Sequence, residues 1–226
     1  MRVDHSRPEE VQRLFERIEE EQNGRLDILV NDVWGGESLT QFDTPFWELS
    51  LEGGIAMLRQ GIETHVITSH YAAPLMVHRK SGLILETTDG VGDGYHGSLF
   101  YDLVKTSVIR LALAQAVELR QHKIAALTLT PGFLRSEEML EHFGVTEANW
   151  QDASLKNPHF AASETPAYIA RAVAALAADP ESSTAPAKPY LPGISPKSTA
   201  SPTVTAVGRI GVVTCGSISG LQQGTR

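Results

Sequence analysis

The sequence predicts an α/β fold built on a parallel, doubly wound sheet. Three observations carry that expectation. Short apolar runs of strand length alternate along the chain with stretches of helical periodicity. Two of those runs end in a polar residue ahead of a glycine-containing turn: Asn31 before Trp34-Gly35-Gly36, and Thr130 before Pro131-Gly132. Tyr101 and Lys105 stand four residues apart in Tyr-Asp-Leu-Val-Lys, with Thr88 thirteen positions upstream of the tyrosine at the end of a third run. In open α/β sheets ligands gather beyond the carboxyl ends of the strands, where all three features fall.

The first element follows Ser6-Arg-Pro8-Glu9, which reads as a helix start with Ser6 as the cap and an early proline. Val11, Leu14, Phe15 and Ile18 supply its apolar stripe, and Asn23-Gly24 ends it. Residues 25–31 then read as a buried strand. A helical stretch spans about 46–78, with Gly53, Gly54, Gly61 and Pro74 interrupting it. Gly82 to Thr88 is the next strand, and the glycine-rich loop Gly90-Val-Gly92-Asp-Gly94 leads to the helix of Tyr101. Val104, Val108, Leu111 and Ala112 mark the inner face of that helix, which runs to about Arg120. Residues 123–130 form a further strand, and Ser163-Glu-Thr-Pro166 opens a helix whose Ile169, Val173 and Leu176 point inwards.

Helical side chains at i and i+4 share a face, so the Lys105 ammonium is placed beside the Tyr101 phenol. A neighbouring cation favours phenolate and is expected to lower a pKa that is about 10 in model peptides. Thr88 then offers a hydroxyl to a carbonyl or alcohol oxygen. An isolated Tyr-x-x-x-Lys is more often a solvated surface pair, so its surroundings decide.

Those surroundings resemble the short-chain dehydrogenase/reductase family over roughly residues 2–180. Arg2-Val-Asp4-His5-Ser is similar to the end of that family's third strand, where an aspartate contacts the cofactor adenine. Residues 26–31 with Asn31-Asp32-Val33-Trp34 resemble its fourth strand and Asn-Asn-Ala-Gly turn. Thr88, Tyr101 and Lys105 fall on its catalytic hydroxyl, tyrosine and lysine, and Pro131 to Ser136 resembles its Pro-Gly-x-x-x-Thr segment. The bulky turn residue and residues 60–65 look closest to one branch of the family. The resemblance implies a partial Rossmann-type sheet, NAD or NADP as cofactor, and hydride exchange with a small carbonyl or alcohol substrate. It assigns catalysis to Thr88, Tyr101 and Lys105, and cofactor binding to Asp4, Asn31, Val33, Lys105, Pro131, Gly132 and Ser136. A homodimer or homotetramer, assembled through the Tyr101 helix and the one before it, is implied in the same way.

The sequence departs from the family pattern in three places. Gly61 falls where most members carry a catalytic asparagine, so a water bridge from Lys105 to solvent is expected instead. No Thr-Gly-x-x-x-Gly-x-Gly turn precedes Arg2, so the chain is expected to lack the first two strands and to leave residues 26–31 on a sheet edge. Residues 90–94 sit in the wrong context for a phosphate cradle and read as a mobile loop. After Glu181 the chain holds no acidic residue and is rich in Ser, Thr, Pro and Gly, so residues 181–226 read as a disordered tail beyond a domain at 1–180. Shifted by one base, the codons allowed for residues 192–203 permit a Leu-Ala-x-x-Tyr-Gly phrase similar to the family's carboxyl-terminal pattern. A frame slip near Glu181 that loses the last strand would explain it. The alternative to an enzyme is therefore an inactive fragment that binds no cofactor.

Composition narrows the rest. A chain of 226 residues suits one domain. A formal charge of −8 and a pI near 5.5 leave no basic stripe for nucleic acid. No run approaches the roughly 20 apolar residues that span a bilayer, and a single cysteine, Cys215, fits a reducing cytoplasm. No metal is expected, because His65 and His70 are spaced badly for one helical face. Glu137, Glu138 and Glu141 read as a solvated face, and Asp89 and Asp93 as loop solvation with a substrate contact as the alternative. Trp34, Tyr95, Phe100 and Phe133 read as core or as the wall of an apolar pocket.

Overall fold

A computed structural model describes residues 1–89 and 94–179, together with the backbone of residues 211–214. Its sheet has the order β1-β2-β3-β4, with β1 at Ile28–Asn31, β2 at Gly82–Thr87, β3 at Ile124–Thr130 and β4 at Gly211–Thr214. The first three strands are parallel. Ile28 stands opposite Leu83 and Asn31 opposite Glu86, while Gly82 pairs with Ile124 and Thr87 with Leu129. β4 runs antiparallel to β3, with Gly211 opposite Thr130. Among the described residues β1 pairs with β2 alone, on the edge the sequence predicts, and the strand is shorter than the apolar run that contains it.

Helices cover both faces of the sheet. On one face Leu29, Ile84, Ile124 and Ala126 meet α1 (Pro8–Gln22) through Val11 and Phe15, α3 (Thr64–Arg79) through Ala72, Leu75 and Met76, and α4 (Leu99–Leu119) through Ala112 and Ala116. On the other face Leu83, Leu85, Ala125, Leu127 and Leu129 meet α6 (Pro166–Ala178) through Ala172, Ile169, Val173 and Leu176. Alternate residues of each strand therefore enter different cores, and strands buried on both faces read as unbroken apolar runs. Leaving these side chains in water would cost about 25 cal/mol per Å² of apolar surface.

Two helical boundaries differ from expectation. α1 starts at Pro8 with Arg7 as its cap residue, because the Ser6 hydroxyl instead donates to Asp4 Oδ1 at 2.6 Å. The long stretch after residue 46 is divided: α2 (Leu51–Leu58) ends in a turn of π-helix over Arg59–Glu63 before α3 begins. Such turns widen a helix locally and recur at functional sites. Beyond β3, α5 (Glu137–Phe143) and the 3₁₀ turns through residue 162 enclose a small core of Phe143, Ala153 and Phe160. No helix among the described residues is long and apolar enough to cross a membrane. The sequence expectations for residues 90–93, for Asp93 and Cys215, and for the composition and reading frame of the tail lie outside the described residues, apart from the β4 backbone.

Candidate active site

At the carboxyl ends of β1, β2 and β3 lies a cleft of about 420 Å³, walled by Val33, Trp34, Thr88, Asp89, Tyr101, Lys105, Pro131, Gly132, Phe133 and Ser136. Its size falls within the range of small-molecule sites. α4 begins at Leu99, so Tyr101 sits in its first turn and Lys105 in its second, on the side facing the cleft. Val104 and Val108, both buried between them and below, fix that face by packing with Met57, Trp34 and Phe100. Gly132 adopts a left-handed φ of +67°, with nothing within 4 Å of where a Cβ would stand. The Pro131-Gly132 backbone can thus turn sharply while leaving its face of the cleft open.

The three predicted catalytic groups converge, but with different bonds from those expected. Tyr101 Oη donates to Asp89 Oδ2 at 2.6 Å. The Lys105 ammonium lies 3.8 Å from the centroid of the Trp34 ring and 5.2 Å from that of Tyr101, a cation–π arrangement rather than a bond to the phenolic oxygen. Burial and then the adjacent Asp89 carboxylate push the Tyr101 pKa up, the reverse of the direction expected from a lysine neighbour. In this arrangement the phenol is held protonated, as a proton donor. Burial lowers the Lys105 pKa, with Asp89, Glu37 and Asp32 opposing it. The Thr88 hydroxyl is already engaged. It donates to the backbone carbonyl of Lys105 at 2.8 Å, while the Thr88 amide extends the β2–β3 ladder to Leu129 O at 2.9 Å. Its donor is used in tying the end of β2 to α4.

Of the residues expected to hold a cofactor, Val33, Lys105, Pro131, Gly132 and Ser136 line the cleft. Asp4 and Asn31 do not. The exposed Asp4 carboxylate accepts from the Ser6 amide and hydroxyl and pairs with Arg7. Asn31 is buried, and its amide donates to Ser69 Oγ and Glu86 Oε1, both at 2.9 Å. That bond belongs to a network the sequence did not announce. Glu86, fully buried in β2, also accepts from Gln115 Nε2 at 2.9 Å and meets His65 Nδ1 at 2.7 Å, while His65 Nε2 lies 3.1 Å from the Val33 carbonyl. The network therefore holds the turn that carries Val33 and Trp34. Trp34 is fixed further by its indole N–H, which donates to Glu37 at 2.8 Å. Among the apolar residues singled out from sequence, Trp34 and Phe133 line the cleft, Phe100 packs under it, and Tyr95 is exposed.

Gly61 lies in the π-turn, and the space above it is filled. A Cβ there would stand 2.4 Å from Val104 Cγ1 and 3.2 Å from the Trp34 ring. A side chain at position 61 would collide with Val104 and crowd the indole under Lys105. Gly61→Asn is expected to cost about 1–3 kcal/mol through overpacking, read as a lower urea midpoint with unchanged slope. A variant as stable as the parent would show that Val104 and Trp34 can move aside.

The chain and its fold have matches among known proteins. The enoyl-(acyl carrier protein) reductase family model matches residues 1–187. Dehydrogenase/reductase SDR family member 1 of Mus musculus and that of Homo sapiens are each 34% identical over 181 residues, covering 78% of this chain and 58% of theirs. The chain thus spans rather more than half the length of these relatives. Among solved structures, ElxO with NADP bound superposes with a TM-score of 0.68 at 23% identity, over 80% of this chain and 71% of that one. YwfH, an NADPH-dependent reductase involved in bacilysin biosynthesis, gives 0.65 at 23% identity, over 81% and 71%. These two likenesses are ones of fold.

Proposed function

The chain belongs to the short-chain dehydrogenase/reductase family, and from that premise we propose that it is an NAD(P)-dependent oxidoreductase acting on a small carbonyl or alcohol compound. The observation that carries the reading is the pairing of a protonated phenol and an ammonium on successive turns of α4, both facing one cleft at the strand ends. A nicotinamide cofactor, when bound, would supply the hydride for the carbonyl carbon or take one up from an alcohol. Tyr101 donates its hydroxyl proton to the carbonyl oxygen as the C–O π electrons settle on that oxygen, and takes a proton back in the reverse direction. Val33, Pro131, Gly132 and Ser136 offer the walls and polar groups that would hold the cofactor at its nicotinamide end, with Lys105 beside its ribose. Thr88 acts as a positioning residue, tying the end of β2 to the second turn of α4. Exposed Val66 on α3 and Leu103 and Val117 on α4 support assembly through those helices.

Titration with NADPH and with NADH tests the reading directly. Trp34 lines the cleft, so saturable quenching of tryptophan fluorescence is expected with at least one of the two. The absence of saturable binding by calorimetry for both would overturn the proposal in favour of an inactive fragment.

A further inference from the structure

We propose that Asp89 selects the substrate: the site takes carbonyl or alcohol compounds that carry an ammonium or similar cation close to the reacting oxygen. The inference rests on the reading of Tyr101 as the proton donor. At 2.6 Å the Tyr101–Asp89 contact is a charge-assisted hydrogen bond, about twice as strong as a neutral one. A neutral ketone must win the phenolic proton from that carboxylate. The Thr88 hydroxyl gives no substitute, since its donor is spent on the Lys105 carbonyl.

A cation beside the carbonyl changes the competition. Asp89 exchanges a phenol for a full positive charge, and the Tyr101 hydroxyl is released to turn to the carbonyl oxygen. The rest of the wall favours the same class. Asp32 and Glu37 line the cleft with Asp89, against one ammonium among the described residues, that of Lys105, which is itself seated on the Trp34 ring. An anionic substrate would meet three carboxylates, whereas a cationic one would meet a field that draws it in.

Three ketones of one carbon frame separate the alternatives: aminoacetone, hydroxyacetone and pyruvate, which differ in charge. With the reduced cofactor that binds, kcat/KM for the wild type is expected to favour aminoacetone over pyruvate by about ten- to hundredfold, the worth of one hydrogen bond to a charged group. Asp89→Asn should compress that ratio towards unity. Equal turnover of the three ketones by the wild type, or an unchanged ratio in D89N, would overturn the proposal. Two readouts stand apart from turnover. Calorimetry on the cofactor-loaded protein should show aminoacetone binding more tightly than pyruvate, and the reverse order would count against it. Titration of the phenolate absorbance, with Tyr101→Phe as baseline, should show Tyr101 ionising at lower pH in D89N. An unmoved titration would mean that Asp89 does not hold the phenol. Failure of any cofactor to bind would instead remove the oxidoreductase reading, and the phenolate titration would still judge Asp89.

Discussion

Tyr101→Phe is expected to lower kcat about 10²- to 10⁴-fold, the usual contribution of a positioned general acid, while cofactor affinity changes little. The substitution deletes one oxygen and keeps the ring. That ring is held edge-on to Trp34 at 5.8 Å and to Phe42 at 5.5 Å between centroids, contacts that phenylalanine retains. Fold and cleft should therefore survive, and the loss should fall on the chemical step. A fall in kcat and kcat/KM by the same factor would mark an interaction made only in the transition state. Loss of NAD(P)H binding would assign Tyr101 to the binding surface, and unchanged kcat would remove it from the reaction. Because burial and Asp89 push the phenol pKa up, carbonyl reduction should persist to higher pH than an ordinary tyrosine acid allows. Asp89→Asn should bring the alkaline fall-off to lower pH.

The sequence made the framework legible because its signals are local. Apolar runs buried on both faces gave β2 and β3 nearly to the residue, and an i, i+4 spacing sufficed to put Tyr101 and Lys105 on one side of α4. The hydrogen bonds were not legible in the same way, because they depend on neighbours distant in sequence. Thr88 looked like a substrate ligand until α4 brought the Lys105 carbonyl to its hydroxyl. Asp89 follows directly after Thr88, yet its hold on Tyr101 joins residues 12 positions apart. Asn31 and Glu86 are 55 positions apart and meet because β1 and β2 pair in a register that sets them opposite each other. A glutamate inside the apolar run Gly82-Leu-Ile-Leu-Glu was the one available signal, since a carboxylate in a strand buried on both faces requires partners.

That carboxylate leads to the largest expected loss of stability. Glu86→Ala removes the common acceptor of Asn31, Ser69, Gln115 and His65, in a site that water does not reach. Breaking a buried ionic or polar centre from one side costs about 3–5 kcal/mol, because the remaining partners stay desolvated and unpaired. Against the 5–15 kcal/mol that typically holds a domain together, this is a large share. It should appear as a lower urea midpoint at constant slope. His65→Leu alone should cost less, since it leaves Glu86 with Asn31, Ser69 and Gln115. The double variant should be less damaging than the two losses added, by about 0.5–3 kcal/mol, as residues in one network are coupled. The functional consequence runs through Val33. His65 stands between the Glu86 carboxylate and the Val33 carbonyl, so its loss frees the turn bearing Val33 and Trp34 while α4 stays seated. KM for the cofactor should then rise more than kcat falls. A Glu86→Ala protein with an unchanged urea midpoint, or a His65→Leu enzyme whose kcat alone declines, would show that the network does not hold the cofactor side of the cleft.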